Sequence, residues 1–368
     1  MKQKKVYLDN NASTPIHPII RKKFIKALDL YANPSSLHQE GQQARAALER
    51  ARESIAKNLN CEPDQVFFTS SGCESNNQIL FSLLNHHIDR IYYDPCSHAS
   101  SRYCLKEHPH IHQSALEVNL EGLLNYKTII KNNTRKGLTL AWGNNETGSL
   151  QDINEIIALK REHDICIHLD AVQCIGKVPF DAQKSPIDFL SFASHKLYAP
   201  KGAAAIYAKD PSQLKALIHG PSHEKGFRAG TENIASIIAF AEALDLCLKL
   251  DFKTCHQLTK TLREALIAHF PRCQILGHTQ KTLGNTICVA FPGHSGHQLA
   301  MQLDLQGIAV STGSACSVGA IEASAVLKAM GISTELNLSS IRISLGYFTQ
   351  EEDLHILIEA LKKIIINE

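Results

Sequence analysis

Apolar residues follow two different spacings over the first two thirds of the chain. Runs of mostly apolar residues, typical of strands buried on both faces of a sheet, occupy positions 66–69, 91–93, 138–142, 165–169, 189–192 and 204–207. Between these runs, apolar residues recur every three or four positions, as at Ala44, Leu48 and Ala51 and again over 234–244. Strands that alternate with helices in this way predict βαβ units and a mostly parallel sheet.

The pattern changes after about residue 250. Helical spacing over 254–269 and 297–305 is interleaved with strand-like stretches at 286–291, 308–310 and 341–345. A final helix has Leu354, Leu357, Leu361 and Ile364 on one face. These elements predict a smaller α+β domain that packs beside the larger one.

Composition excludes several classes of protein. Hydrophobic residues make up 44% of the 368 residues and charged residues 20%, which is ordinary for a globular protein. Lys+Arg is 38 against Asp+Glu at 36, so no basic excess indicates binding to nucleic acid or to an anionic membrane. The apolar run Val6–Leu8 is too short for a signal-peptide core, and no longer run could span a bilayer. We expect a cytoplasmic protein without nucleic-acid or membrane partners.

Eleven cysteines are the most unusual feature of the composition. Their number is odd, their spacings are irregular and no CxxC pair occurs, so we expect reduced thiols rather than a disulfide framework. Cys166 and Cys288 lie in apolar strands and are expected to be packing residues, whereas Cys73 and Cys174 are ambiguous. Cys316 lies in the run of small residues 311–317, the kind of exposed setting that a thiolate nucleophile needs.

Polar residues follow several predicted strands, at the edge where doubly wound sheets bind their ligands. Residues 70–76 open a helix whose backbone N–H groups could bind phosphate. Asp170 ends one strand and Lys196 follows the next. Alone, Asp170 could be a helix cap and Lys196 a solvated lysine. Together, a carboxylate for a pyridinium nitrogen and an amine for a Schiff base favour pyridoxal phosphate binding.

Motifs along almost the whole chain carry a resemblance to a known family. They are 7–15 (YLDNNASTP), 33–38 (NPSSLH), Asn145, Asp170 with Gln173, His195-Lys196, 230–233 (GTEN), 311–316 (STGSAC) and 340–346 (SIRISLG). The chain resembles the cysteine desulfurases of the NifS/IscS group, which are class V aminotransferases and fold-type I pyridoxal phosphate enzymes. The resemblance implies a large domain of residues 15–250 with a mostly parallel seven-stranded sheet. Residues 1–14 and 251–368 would form the smaller α+β domain that carries the cysteine loop.

The resemblance also implies roles for individual residues. Lys196 would carry the cofactor and move a proton at the substrate Cα, and Asp170 would pair with the pyridine nitrogen. His98 would stack on the ring and assist proton transfer. Gln173 and Asn145 would contact the phenolic oxygen of the cofactor. Its phosphate would be held by Gly72, Cys73, Ser194 and His195, together with Thr231 of the partner subunit.

The implied substrate is L-cysteine. Arg342 would bind its carboxylate, with Asn33 nearby, and Cys316 would attack its sulfur to form a persulfide, leaving L-alanine. A sulfur acceptor protein, which could be an iron–sulfur scaffold, and a second copy of the chain are the implied partners. A selenocysteine lyase or an aminotransferase on the same scaffold, and a sulfur-relay protein without turnover, stay open as alternatives.

Two positions depart from the family pattern at the phosphate. Cys73 stands where a threonine is common, and Ala193 stands where a serine is common, with Ser194 one residue later. A thiol is a weaker donor than a hydroxyl, so the phosphate contacts are expected to be altered. The alternating histidines His108, His110 and His112 could ligate a metal, although a solvated loop is favoured.

Overall fold

The computed structural model describes residues 4–86, 88–132, 134–313 and 322–365. Its strands are β1 Val6–Tyr7, β2 Val66–Thr69, β3 Arg90–Tyr93, β4 His112–Ala115, β5 Glu117–Val118, β6 Leu124–Asn125, β7 Lys136–Ala141, β8 Ile165–Asp170, β9 Phe189–Ala193, β10 Ala204–Ala208, β11 Gln274–Leu276, β12 Thr286–Ala290, β13 Ile308–Ala309 and β14 Ser340–Ser344. Its α-helices are α1 Pro18–Ala27, α2 Gln39–Leu59, α3 Gly72–Leu84, α4 Ala99–Lys106, α5 Ile153–Glu162, α6 Ile234–Cys247, α7 Lys253–His269, α8 Gly296–Leu305, α9 Ala325–Ala329, α10 Thr334–Leu338 and α11 Glu351–Ile365.

The main sheet has seven strands in the order β2-β10-β9-β8-β7-β3-β4. The pairs β3–β4, β3–β7, β7–β8 and β8–β9 are parallel, and only β10 runs against its neighbours β2 and β9. The predicted α/β fold with a mostly parallel seven-stranded sheet is therefore confirmed. Six of its strands follow the apolar runs of the sequence. The edge strand β4, of sequence HQSA and partly exposed, has no such run.

Both faces of this sheet are covered by helices. On one face Phe68 shares an apolar core with Ile55 of α2 and Phe240 of α6, all of them buried. On the other face the adjacent residue Phe67 packs in a separate core with Leu80 of α3. Because neighbouring side chains of a strand point to opposite faces, the two phenylalanines serve different cores. Burial on both sides explains why the strands are continuous apolar runs rather than alternating ones.

A second core forms around the antiparallel sheet β11-β12-β14. Leu262 of α7, Leu299 of α8 and Leu357 of α11 are buried in it together with Ile343 of β14. The N-terminal strand β1 pairs in parallel with β13 and so joins this second core rather than the first. We propose on this basis that residues 1–14 and 251–368 form the small domain and that residues 15–250 form the large one.

The alternating histidines are not a loop throughout, since His112 begins β4. His108 Nδ1 lies 2.8 Å from the carbonyl oxygen of Cys104, and the rings of His108 and His110 are 5.9 Å apart. Within the described ranges no three His, Cys, Asp or Glu side chains are grouped as a metal site would require. Over the same ranges no helix is both long and apolar enough to cross a membrane.

A buried ion pair holds a strained turn against the first strand of the sheet. Arg52 of α2 donates from both terminal nitrogens to Glu224, at 2.8 Å each, and Glu224 also accepts from the backbone N–H of Phe68. Glu224 and Lys225 both have positive φ, of 46° and 57°, which is unfavourable for residues with a Cβ. The ion pair therefore fixes the turn that leads to residues 230–233.

Replacing Glu224 by alanine is expected to destabilise the fold by ~3–5 kcal/mol, because Arg52 would stay buried without its counter-charge. Urea unfolding followed by circular dichroism measures the loss. Glu49→Ala is the matched control, since Glu49 also binds Arg52 but from a partly exposed position, and it should cost less than about 1 kcal/mol. Equal losses for the two variants would contradict this account of the turn.

Candidate active site

Three elements of the main sheet end at one edge and bring the predicted site together. β8 ends at Asp170, β9 runs directly into a short 3₁₀-helix that ends at Lys196, and β2 is followed at once by α3. Asp170 pairs in register with Ser191 of β9. Because parallel strands present their carboxyl ends at the same edge, the carboxylate and the lysine amine face one interior.

Lys196 is buried, and its amine is held by the N-terminal segment. Nζ donates to the carbonyl oxygens of Asn11 and Ala12, the latter at 2.7 Å. Burial lowers the pKa of this amine to about 7, and the positive charges of Lys177 and Arg342 act in the same direction. A substantial share of Lys196 is therefore neutral near pH 7, as a nucleophilic amine must be.

Asp170 is buried and accepts two hydrogen bonds. The side-chain amide of Asn76 donates to Oδ2 at 2.7 Å, and the backbone N–H of Val172 donates to Oδ1 at 3.1 Å. His98 caps α4 close by, and burial lowers its pKa. Asp170 opposes that shift and Lys196 adds to it, which shows that the three groups interact electrostatically.

Asn11 is a site residue to which the sequence interpretation gave no role. Its backbone oxygen accepts from both Lys196 and Gln173, the latter at 3.0 Å. Its side-chain amide donates to the backbone oxygen of Asn145 at 3.0 Å and to Thr286 of β12 at 2.8 Å. One buried asparagine thus aligns three predicted site residues and ties them to the second core. The motif at 7–15 was the available signal.

Arg342 lies on β14 and reaches the same interior. Its Nη2 donates to Asp9 at 2.6 Å and its Nη1 to the backbone oxygen of Asn145 at 3.2 Å. Its Nε is buried and finds no hydrogen-bond partner among the described residues. An unsatisfied guanidinium N–H in a buried position is a donor suited to an anionic group.

The remaining predicted residues differ in exposure in the single chain. Asn33 and Thr231 are exposed, and the side-chain oxygen of Asn33 accepts from the backbone of Ser35. Ser194 is fully buried and donates to the carbonyl oxygen of Pro200, so its hydroxyl is committed to the loop that follows the 3₁₀-helix. His195 is half-buried, and burial lowers its pKa to about 4.

Cys316 lies outside the described residues, but the residues on either side of residues 314–321 meet one buried carboxyl group. Ser324 donates to Glu146 at 2.5 Å, and a Cβ on Gly313 would fall 2.5 Å from the same Glu146 oxygen. Burial raises the pKa of Glu146 to about 7. Glu146 follows Asn145 directly, and the sequence interpretation did not single it out.

The other cysteines differ from one another in exposure. Cys73 is exposed in the first turn of α3. Burial raises the pKa of the Cys104 and Cys255 thiols to about 11 and that of Cys288 to about 12. Cys174 is fully buried, with its pKa raised further by the same cause. These buried thiols stay protonated at neutral pH and are packing residues.

The residues of this edge fit pyridoxal phosphate. The donor set combines an amine of lowered pKa, a buried carboxylate and the N-terminus of α3. Gly72, the first residue of α3, packs closely: a Cβ there would lie 3.1 Å from Val172 and 3.7 Å from Ala193. The N–H groups of that turn can therefore approach a phosphate beside the ends of β8 and β9.

This sheet, with a lysine and a carboxylate at its carboxyl edge, defines the class: the chain belongs to the aminotransferase class-V family, whose model matches residues 6–357. It is 36% identical over 388 residues to the cysteine desulfurase IscS of Dictyoglomus turgidum, with 99% of this chain and 95% of that protein covered. A solved NifS-like protein superposes with a TM-score of 0.90 at 29% identity, with 99% of this chain and 100% of that chain covered. The solved structure of SspA in complex with cysteine superposes with a TM-score of 0.81 at 29% identity, with 93% of this chain and 99% of that chain covered. Within the family the chain belongs with the cysteine desulfurases of the IscS and NifS type.

Attachment of pyridoxal phosphate to Lys196 should accelerate with pH up to about pH 7 and then level off. Only the neutral amine reacts, and its pKa is about 7 rather than the ordinary 10.5. Apoprotein mixed with the cofactor at a series of pH values, trapped with borohydride and digested, gives the labelled fraction by mass spectrometry. Lys196→Arg, which stays charged, should show no label. A rate that keeps rising toward pH 10 would contradict the lowered pKa.

Proposed function

We propose that the protein uses pyridoxal phosphate to remove sulfur from L-cysteine, giving L-alanine and a persulfide on Cys316. The observation that carries the proposal is the shared interior of Lys196, Asp170 and Arg342, where a neutral amine, a carboxylate and an unsatisfied guanidinium N–H meet. An amino acid substrate has matching groups. SspA, which is similar to this chain in fold and sequence, was solved in complex with cysteine.

The cofactor would be held by residues at the carboxyl edge of the sheet. Lys196 would carry it covalently, Asp170 would face the pyridine nitrogen, and Gln173 and Asn145 would face the phenolic oxygen. The phosphate would lie at the N-terminus of α3 against Gly72, Cys73 and His195, with the partner's Thr231 as a further contact. Ser194 would reach it only by giving up the hydrogen bond that its hydroxyl donates to Pro200. When bound, pyridoxal phosphate supplies an electron sink for charge that develops at the substrate Cα.

Arg342 would orient the substrate through its carboxylate. The buried Nε of Arg342 has no hydrogen-bond partner among the described residues, whereas Nη2 is paired with Asp9. A substrate carboxylate that binds Nε and Nη2 would compete with Asp9 for the same guanidinium, so substrate binding would weaken the ion pair between Arg342 and Asp9. Asn33, which is exposed in the single chain, would contribute from the rim of the site.

Lys196 would then move the proton at Cα. As a neutral amine it can accept a proton, and as an ammonium it can return one, because its pKa of about 7 lies close to neutral pH. His98, which interacts electrostatically with both Lys196 and Asp170, would assist this transfer. The surrounding burial excludes water, which would otherwise compete for the proton.

Cys316 would take the sulfur as a thiolate. Its Sγ attacks the sulfur of the substrate, a sulfur–sulfur bond forms, and the Cβ–sulfur bond breaks with its electron pair left on the carbon side. Protonation of that carbon gives L-alanine, and the sulfur remains on Cys316 as a persulfide. A sulfur acceptor protein, such as one that builds iron–sulfur clusters, would then receive it.

We further infer a homodimer in the cytoplasm. Thr231 is exposed in the single chain, as a residue that completes a neighbouring site would be. The strained turn fixed by Arg52 and Glu224 leads directly to Thr231 and supports its presentation to a partner. The many cysteines are consistent with a reducing compartment.

Treatment with L-cysteine should add about 32 Da, one sulfur atom, to the peptide that contains Cys316. Cys316→Ser should abolish both this adduct and the release of alanine, because no other thiol replaces the nucleophile. Cys273→Ser, at a partly exposed cysteine, is the control and should keep both. Consumption of L-cysteine that survives in Cys316→Ser would instead indicate an aminotransferase.

A further inference from the structure

A chain of hydrogen bonds crosses the middle of the main sheet and ends at Asp170. Thr139 of β7 lies 2.9 Å from Nδ1 of His168 on β8, and Nε2 of His168 lies 3.2 Å from the hydroxyl of Ser191 on β9. Ser191 donates to the side-chain oxygen of Asn76, whose amide donates to Asp170 at 2.7 Å. The pairing of Thr139 with His168, and of Asp170 with Ser191, fixes this path in the strand register.

Every hydrogen bond of this chain points the same way. The amide of Asn76 must donate to the carboxylate of Asp170, so its oxygen is the acceptor for the proton of Ser191. Because its own proton is committed there, Ser191 can only accept from Nε2–H of His168. The other ring nitrogen of His168 is then unprotonated and accepts from Thr139. The direction follows from the partners alone.

The burial of His168 keeps that direction fixed. Its side chain is fully buried, and desolvation lowers its pKa to about 3. A neutral imidazole has one donor and one acceptor, and both are committed here, to Ser191 and to Thr139. His168 therefore cannot change its tautomer unless the whole chain reverses.

A second branch leaves the same asparagine. The other amide hydrogen of Asn76 goes to the hydroxyl of Ser100 at 3.0 Å, and that hydroxyl lies 2.8 Å from Nδ1 of His98. The backbone N–H of Ser100 also donates to His98 Nδ1, which identifies this nitrogen as an acceptor. Ser100 therefore donates to His98, and a neutral His98 carries its proton on Nε2.

We propose that Asn76 is a positioning residue that uses one amide hydrogen to orient the Asp170 carboxylate and the other, through the Ser100 hydroxyl, to support His98 as the Nε2–H tautomer. Asp170 is thereby kept as the acceptor that a pyridinium nitrogen needs, and His98 presents Nε2 with a defined proton. The part of this inference that concerns the cofactor rests on the proposed function.

Asn77 offers a matched control on the same helix. Among the described residues its side-chain amide donates to two backbone oxygens, of Cys73 at 2.8 Å and of Ser100 at 3.4 Å. An aspartate at position 77 adds the same charge one residue away without removing a hydrogen bond to Asp170 or to the Ser100 hydroxyl. Asn76→Asp preserves the shape of the side chain and removes both amide donors.

The first readout is the affinity of the apoprotein for pyridoxal phosphate, measured by fluorescence titration. Asn76→Asp should weaken it about tenfold or more, because a charge-assisted hydrogen bond becomes a contact between like charges. Asn77→Asp should stay within about twofold of the wild-type affinity. Ser191→Ala, which frees the amide of Asn76 to turn without adding charge, should weaken it about threefold.

The second readout is the ¹⁵N NMR signature of His98 in the apoprotein. Wild type and Asn77→Asp should show Nε2–H with an unprotonated Nδ1. Asn76→Asp should shift the Nδ1 resonance, because the introduced carboxylate would accept the hydroxyl proton that Ser100 now gives to His98 and leave Nδ1 with the backbone N–H of Ser100 alone. A merely structural role for Asn76 would leave the Nδ1 resonance at its wild-type position.

Wild-type affinity together with a wild-type His98 signature in Asn76→Asp would overturn the inference. If Asn76→Asp does not fold, Ser191→Ala decides: wild-type affinity there would overturn it. If the wild-type apoprotein fails to bind pyridoxal phosphate, the proposed function is wrong. The His98 signature in the apoprotein would still test the hydrogen-bond network in that case.

Discussion

Burying a lysine amine costs free energy, and most of the site is arranged around that cost. Lys196 leaves water at the carboxyl edge of the sheet, and its pKa falls to about 7 as a result. Two backbone carbonyls, from Asn11 and Ala12, take its hydrogen bonds. Because these acceptors carry no full charge, they support the amine without restoring its ordinary basicity. Burial of a lysine destabilises the fold, but here it also lowers the pKa of the Lys196 amine and so makes it reactive.

The N-terminal segment is the structural means by which this balance is kept. β1 pairs with β13, Asp9 binds Arg342, and Asn11 contacts Lys196 in the first core and Thr286 in the second. A few residues thus connect both cores through polar contacts in a buried place, where each contact is worth more than it would be in water. Because the segment contacts both the amine of Lys196 and the guanidinium of Arg342, it links the positions of these two groups.

The sequence was a good guide where burial decides the residue type. Continuous apolar runs located six strands of the main sheet, and helical spacing located α2, α6, α7 and α11, because covered strands and amphipathic helices leave direct patterns. The edge strand β4 left no pattern, since its residues are partly exposed. Asp170 and Lys196 were found because they follow strands. Asn11, Asn76 and Glu146 were not, because an asparagine or glutamate at a buried position is recognisable only from its partners, which are distant in sequence.

The raised pKa values of the buried cysteines bear on how the chain would accommodate the persulfide proposed for Cys316. A persulfide passes its outer sulfur to any thiolate that can reach it, so internal thiolates would compete with the intended acceptor. Cys104, Cys255 and Cys288 are held protonated by burial, with pKa values of about 11 to 12, and so stay poor nucleophiles. Packing thus gives the chain chemical selectivity: it can contain many sulfur atoms and still direct a transferable one outward.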